Sequence, residues 1–181
     1  MNVVRSNVGE LDIVSTFLPA EETPIEEHRE ALRIWNEKRG DRIAPAWREV
    51  ELTDFPLSLL RCVAVTDLTE NPLSSTYRYW GSGLTQIYGH DYTGRSPSDV
   101  PPKTIGFNNQ GGCARILRDR KPHFLAREYL NHNGFLGRAL ILRVPLSDDG
   151  VHVNHSIAFF HYESSGGDHA EFFKKLFAGL D

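Results

Sequence analysis

The chain has 181 residues, of which 40% are hydrophobic and 24% are charged, and its formal net charge is -4. At this length one core buries roughly 70% of the unfolded chain's surface, so stability requires neither disulfides nor metals. The weakly negative charge gives no general attraction to nucleic acid or to an anionic membrane. No apolar run approaches the ~20 residues of a membrane span, and no signal peptide is recognisable. We therefore expect a cytoplasmic protein without nucleic-acid or membrane partners, in which Cys62 and Cys113 are free thiols.

Residues 1–40 form a predicted extension that precedes the main domain. Its first half carries scattered apolar residues that can add a strand, dock on the domain or contact a second subunit. A helix is predicted to start where Thr23 caps, the next proline takes the first helical position and Glu26 completes a capping box. Gly40 ends this helix. Trp35 then either packs the helix onto a sheet or contributes to a dimer interface.

The main domain, residues 41–163, is predicted to begin with two strands, continue through helical segments and finish with three strands. Consecutive hairpins make the strand pairs antiparallel, and the helical insert must cover one face of the sheet. The predicted segments are strands at 61–68 and 76–81, joined by an Asn71–Ser75 turn, a helical turn at 84–88, a helix at 103–120, and strands at 123–130, 138–146 and 151–162.

Residues 164–181 are predicted to form a C-terminal unit of two parts. Ser164–Gly167 is a short flexible linker, and Asp168 caps an amphipathic helix after it.

Four short motifs occur in order along most of the chain. They are W-N-E-K-R-G at 35–40, Y-R-Y-W-G at 77–81, G-H-D-Y-T-G-R at 89–95 and P-L-S-D-D-G at 145–150. The set resembles the bacterial PAS-like family, whose members carry W-x-x-x-R-G, Y-R-x-x-G, G-x-D-x-T-G-R and P-L-S-x-D-G in this order. The resemblance implies a PAS-like α+β fold: a five-stranded antiparallel sheet with helices on one face, plus N-terminal and C-terminal helices.

The same resemblance implies a sensory or adaptor module that is often dimeric and has no catalytic activity. It brings no assigned ligand, so the cofactor is unknown. Because the chain continues only briefly beyond its last predicted strand, we expect the signal to pass to a separate partner protein. We expect a homodimer formed through residues 1–39.

An apolar pocket between the sheet and the helices is the candidate binding site. Such pockets are mostly apolar with a few placed polar groups. A filled core without any cavity is the alternative. The predicted lining is apolar apart from one amide and one imidazole, and consists of Tyr79, Tyr88, Phe107, Asn108, Leu142, His155, Ile157 and Phe159.

Metal, haem and flavin chemistry all lack their usual sequence patterns. His152 and His155 point to opposite faces of a strand, and His155 and His161 are roughly 20 Å apart, so neither pair chelates one ion unaided. His123 and His132 can approach them from a neighbouring strand, but nothing in the sequence requires it. The helix at 103–120 contains no histidine for haem. Cys113 lies in G-C-A-R-I-L, whereas photosensory PAS domains use N-C-R-F-L-Q, so it is interpreted as a packed thiol.

Three hypotheses remain open at this point. The first is the PAS-type sensory module. The second is a small enzyme with a cone-shaped α+β fold that uses His155 or Asp91 as acid or base on an apolar substrate. The third is a structural interaction domain with a collapsed pocket. The first two differ in strand order, since a PAS sheet is expected to place the first strand of the 41–163 domain at its centre.

Overall fold

A computed structural model describes residues 2–70, 72–166 and 168–180. Asn71 of the predicted turn and Gly167 of the predicted linker lie outside the described residues. The strands are β1 (Asn2–Val8), β2 (Leu11–Pro19), β3 (Val63–Thr69), β4 (Ser74–Trp80), β5 (His123–Asn131), β6 (Gly134–Leu146) and β7 (His155–Ser164). The α-helices are α1 (Glu26–Arg39), α2 (Ser82–Tyr88), α3 (Lys103–Asp119) and α4 (His169–Ala178).

The strands form one seven-stranded sheet in the order β1-β2-β5-β6-β7-β3-β4, and every described neighbour pair is antiparallel. The five strands β3 to β7 and the helices between β4 and β5 are the PAS-like α+β arrangement that the motifs imply. Strand β3 is interior, between β4 and β7, but it lies one strand from the edge rather than at the centre as expected.

Two N-terminal strands enlarge the predicted sheet from five strands to seven. Gly9 has a positive φ of 61°, which permits the tight reversal between β1 and β2. Strand β2 then pairs with β5 from Asp12↔Leu130 to Pro19↔His123. Both N-terminal strands are therefore part of the sheet, and β2 is one of its interior strands.

Helices cover both faces of the sheet. On the first, which we call the α3 face, Ala139 and Ile141 of β6 pack in one core cluster with residues of α2, α3 and α4. On the opposite α1 face, Leu142 and Val144 pack against Trp35. The predicted alternation along β6 is confirmed, as is the position of α3 on the sheet. Among the residues described, no helix is long and apolar enough to cross a membrane.

The start of α1 differs from the sequence prediction. The helix begins at Glu26, and its N-cap is Ile25, without a side-chain cap. The Thr23 hydroxyl instead lies 3.1 Å from Nδ1 of His28, a fully buried ring. The Thr23 hydroxyl thus contacts the buried imidazole and the backbone nitrogen of Ile25, at 3.4 Å, and does not cap the helix. Gly40 ends the helix as predicted, with a φ of 55°.

Strand β7 begins four residues later than the alternation predicted. Asp149 Oδ1 accepts hydrogen bonds from the backbone nitrogens of Val151 and His152, at 2.9 and 2.7 Å, and so holds this stretch as a loop. Val153 consequently packs in a different cluster from Ile157. At the other end of the chain the prediction for α4 is confirmed, since Asp168 accepts a hydrogen bond from the backbone nitrogen of Glu171.

Candidate functional site

The eight residues predicted to line one pocket are not brought together by the structure. Leu142, Ile157 and Phe159 are fully buried on the α1 face. Tyr88 is buried on the α3 face, where its hydroxyl is 3.3 Å from that of Tyr162. The sequence prediction combined positions from two faces of one sheet, and a single cavity cannot contact both.

The other four predicted residues are also dispersed. The side chains of Tyr79 and Phe107 are directed toward solvent, with exposed fractions of 41% and 73%. Asn108 is buried under α3 and lies 3.5 Å from the Ser15 hydroxyl of β2. His155 lies at the start of β7 on the α1 face. Of the eight, only Tyr88 and Asn108 lie in the core of the α3 face.

Two arginines that the sequence analysis did not single out lie inside the protein on the α3 face. Arg127 of β5 has an exposed fraction of 0%, and Arg143 of β6 one of 3%. Their strand neighbours include alanines, since Arg127 is opposite Ala139 and Arg143 is opposite Ala158. These small side chains leave space for each long side chain to extend across the sheet beneath α3.

The polar partners of the two guanidinium groups are neutral. Nη2 of Arg127 donates to Oδ1 of Asn109 at 3.1 Å. Nη1 of Arg143 donates to the Ser156 hydroxyl at 3.1 Å and lies 3.5 Å from the Cys113 sulfur. No ion pair with a carboxylate involves either arginine among the residues described, and none of the buried residues there is an aspartate or a glutamate.

Several further polar atoms of this face have no hydrogen-bond partner in the part of the chain that the structure describes. We call Arg127, Arg143, Asn109, His123 and Tyr77 the buried polar cluster. The unpartnered atoms in it are Nδ2 of Asn109, Nδ1 of His123 and the hydroxyl of Tyr77. Nε and Nη1 of Arg127 have no partner besides an interaction of the guanidinium group with the neutral Tyr129 hydroxyl. Fully enclosed polar groups are rarely left unpaired in proteins, and each one needs an explanation.

The neutral members of this region cannot offset the two positive charges. Burial raises the pKa of Tyr77, Tyr88 and Tyr129, so all three phenols stay protonated at neutral pH. Burial, assisted by the charge of Arg143, lowers the pKa of His123 to about 3, so the imidazole is neutral. Burial likewise raises the pKa of the Cys113 thiol. The cluster thus encloses two cations without a buried anion among the described residues.

Helix α3 lies directly on the cluster at Gly112. A Cβ atom at Gly112 would lie 3.4 Å from Nε of Arg143 and 3.8 Å from Nε2 of His123. The cysteine that follows, Cys113, is fully buried, in agreement with the packed thiol that the sequence predicted. A shift of α3 would therefore first change the contacts of Arg143 and His123.

A groove of about 930 Å³ lies between α1 and the C-terminal half of α3. Trp35 and Arg39 of α1 form one wall, and Arg115 and Lys121 belong to the other. His123 also lines this groove, and its ring is adjacent to Arg143 in the interior. His123 is therefore the member of the buried polar cluster that also lines the groove.

His155 has both ring nitrogens occupied. Nδ1 lies 2.8 Å from an oxygen of Asp67 and Nε2 lies 3.0 Å from an oxygen of Asp148. Asp148 also accepts a hydrogen bond from the backbone nitrogen of Trp47 at 2.9 Å. This imidazole therefore joins three chain segments. Within 2–70, 72–166 and 168–180, no group of histidines, cysteines and carboxylates is arranged to hold a metal ion.

Comparisons with known proteins found structural neighbours only; no family model and no curated protein matches the chain. The chain is similar to the blue-light photoreceptor Aureochrome1 LOV, with 13% identity, 67% of this chain and 91% of that chain covered, and a TM-score of 0.40. It is also similar to a variant of Vivid, with 18% identity, coverage of 81% and 98%, and a TM-score of 0.41. An RNA-binding Light-Oxygen-Voltage receptor matches at 9% identity, with coverage of 91% and 41% and a TM-score of 0.44. Similarity at this level transfers no ligand or activity to this chain.

Proposed function

We propose that the protein is a PAS-type sensory or adaptor module that binds a small molecule between α3 and the sheet. The observation that supports this function is the buried polar cluster. Each unpaired buried donor or acceptor costs about 1–3 kcal/mol, which a bound molecule with matching polar atoms offsets. A core whose only role is structural has no need to retain several such groups on one face.

The elements around the cluster provide a route from ligand to surface. Asn109 and Cys113 connect α3 to the two arginines, and Arg115 of α3 stacks on Phe17 of β2 at 4.5 Å. A ligand that binds one position of α3 more tightly than another shifts the population between them. A movement of α3 changes the shape of the groove beside α1, and a partner protein binds one shape of the groove more tightly than the other.

Native mass spectrometry of freshly purified protein tests this function, together with hydrogen exchange of the α3 amides. We expect a small molecule retained in stoichiometric amount, and faster exchange in α3 after its removal. A protein that retains nothing, and whose α3 amides exchange equally before and after dialysis against denaturant and refolding, contradicts the proposal.

The enzyme hypothesis has less support from the geometry. Both ring nitrogens of His155 already contact carboxylates, so neither is free to accept a substrate proton. The Asp91 carboxylate accepts hydrogen bonds from the backbone nitrogen and the hydroxyl of Thr93, which lower its pKa. We propose that the module is not catalytic.

We propose also that the module acts in the cytoplasm as a homodimer with a separate signalling partner. Strand β1 is an edge of the sheet and carries Val3 and Val4 with exposed fractions of 48% and 38%. Unpaired edge strands readily pair with a second copy. Removal of residues 1–40 is an unsuitable test, since it takes β2 and α1 from the core. Sedimentation velocity should instead show a dimer that Val4→Lys dissociates, and a monomeric unaltered protein contradicts the proposal.

A further inference from the structure

We infer that the small molecule is an organic carboxylate whose negative charge lies between Arg127 and Arg143. This inference rests on the proposed function, namely that the α3 face holds a ligand. It replaces the apolar ligand expected from the sequence with an anionic one. The two guanidinium groups are its binding residues, and the neutral polar groups of the cluster complete the site.

The charge balance of the interior carries the inference. Elsewhere in the protein arginines meet carboxylates, as Arg78 does with Asp67 and Arg138 with Glu163, each at 2.7 Å. Arg127 and Arg143 are far more buried and have only neutral partners among the described residues. A buried charge is tolerated when it is paired and hydrogen-bonded, and guanidinium groups remain charged in proteins. The missing counter-charge is therefore expected from the ligand.

The free hydrogen-bonding atoms favour a ligand with acceptor oxygens. Nδ2 of Asn109 is a donor without a described partner, and Nε and Nη1 of Arg127 have at most the neutral Tyr129 hydroxyl. A carboxylate accepts several such hydrogen bonds at once, and guanidinium groups match its planar geometry. The Tyr77 hydroxyl, whose electrostatic neighbours include Arg127, Arg143 and Cys113, is a further donor in the same region.

Aromatic rings next to these donors favour a flat apolar body for the same molecule. The ring of Trp80 lies 4.7 Å from that of Tyr77 and 5.6 Å from that of Tyr88, and all three are buried on the α3 face. Flat rings pack against such a surface in stacked or edge-to-face contacts. Aromatic carboxylates combine both features, so they are the class of ligand that we assign.

The groove beside α1 offers an anion a route to the cluster. Its lining includes four cationic side chains, Arg39, Arg115, Arg120 and Lys121, and two acidic ones, Glu21 and Asp119. A cleft with an excess of positive charge concentrates anions. Because His123 lines the groove and is close to the same point of α3 as Arg143, a rotation of its ring would open this route.

A pair of probes that differ in charge tests the inference. Benzoate and its neutral isostere benzamide are added at constant ionic strength, and the melting temperature is followed. Benzoate is expected to raise it by about 3 °C or more at saturation, whereas benzamide leaves it unchanged. Arg127→Met and Arg143→Met should each abolish the shift. Arg138→Met is the matched control, because Arg138 belongs to β6 but is paired with Glu163 at the surface, and it should keep the shift.

The stability of the ligand-free variants supplies a second readout. Replacement of an uncompensated buried charge with an apolar side chain of similar length should raise the melting temperature of ligand-free protein. A structural role for the arginines would lower it instead. A higher melting temperature together with the loss of benzoate binding therefore supports a role of the buried arginines in ligand binding at the expense of stability. A lower melting temperature in both variants overturns the inference.

The remaining outcomes separate this inference from the proposed function. If benzamide binds as well as benzoate, or if benzoate binds both arginine variants normally, the anionic ligand is wrong and the sensory module stands. If neither probe binds but native mass spectrometry finds a neutral retained molecule, the conclusion is the same. If neither probe binds and nothing is retained, both proposals fail.

Discussion

The indole nitrogen of Trp35 donates a hydrogen bond of 2.8 Å to the backbone carbonyl of Pro145. The first residue of W-N-E-K-R-G is thereby joined to the first residue of P-L-S-D-D-G, 110 positions later. Arg39, one helical turn after Trp35, places its guanidinium 5.5 Å from the indole ring. The spacing of the first motif therefore has a structural explanation, in which the tryptophan attaches α1 to the end of β6.

Loss of this hydrogen bond should destabilise the fold. Trp35→Phe keeps most of the apolar contact but leaves the Pro145 carbonyl, which is buried, without its donor. We expect the free energy of unfolding in urea to fall by about 1–3 kcal/mol. Trp47→Phe is the control, because Trp47 is only half buried and its ring stacks with Arg78 at the surface. Equal losses in the two variants would contradict a special role for the Trp35 hydrogen bond.

Replacement by alanine should change the stability of the protein in opposite directions at two glycines of α3. At Gly106 a Cβ atom would lie 2.5 Å from the carbonyl oxygen of Ser98, so Gly106→Ala must displace backbone and should cost about 1–3 kcal/mol. At Gly111 the space around a Cβ atom is open, and Gly111→Ala should stabilise the helix by about 0.5–1 kcal/mol. Urea unfolding measures both. Destabilisation by Gly111→Ala would show that the glycine has a role other than helix packing.

Two buried histidines should make the protein less stable in mild acid. Burial, with a contribution from His161, lowers the pKa of His28 to about 3. Burial and the charges of Arg143 and Arg115 lower that of His123 to about 3, although Asp119 opposes this. The folded state binds these protons more weakly than the unfolded chain, whose histidines titrate near pH 6.5. The stabilisation is complete above that value and is lost progressively as the pH falls toward 3.

Between pH 7.5 and 5.5 each buried histidine should therefore lower the free energy of unfolding by roughly 1 kcal/mol. His28→Gln and His123→Gln should each reduce this pH-dependent fall in the free energy of unfolding by the contribution of one histidine. His132→Gln is the matched control, since the side chain is exposed. The measurement is urea unfolding at the two pH values. If the free energy of unfolding changes between the two pH values in both variants as much as in the unaltered protein, the assignment of neutral, enclosed rings is wrong.

The two thiols should report separately on the movement of α3. Cys113 is fully enclosed beneath this helix, and Cys62 is half buried beside Gly83 of α2. Burial raises the pKa of both thiols, so labelling by a disulfide reagent is slow without opening. In a Cys62→Ser variant the remaining reaction should follow the detachment of α3, and benzoate should slow it several-fold. Rapid labelling of Cys113 that benzoate leaves unchanged would contradict a site beneath α3.

The sequence was sufficient for most of the sheet because alternation states directly which side chains share a face. Leu142, Val144 and Leu146 are predicted to share a face, and they do pack together on the α1 side. The same pattern could have identified the two buried arginines, since F-L-A-R-E-Y-L and L-I-L-R-V-P-L each place a cation on a core-facing strand position. Such an arginine is easily taken for a solvent-facing position, because arginine is mostly exposed in proteins.

Other features had no local signature. The pairing of β2 with β5 joins residues more than 100 positions apart, and the sequence of neither strand indicates which strand it pairs with. The capping pattern at Thr23 was a good match in sequence, yet a buried imidazole five residues later competes for the same hydroxyl. Tertiary contacts of this kind override local preference, and they also decided where the members of the predicted pocket finally lie.

The N-terminal hairpin has a practical consequence for protein engineering. Ser15 of β2 contacts Asn108 of α3, so this hairpin belongs to the same wall as the helix that covers the two arginines. In a chimeric protein that contains only the segment from β3 to β7, β5 would become an unpaired edge strand. The contact between β2 and α3 would also be lost. Transplanted units should therefore begin ahead of β1, at the outermost strand, where a junction disturbs none of the interior pairings.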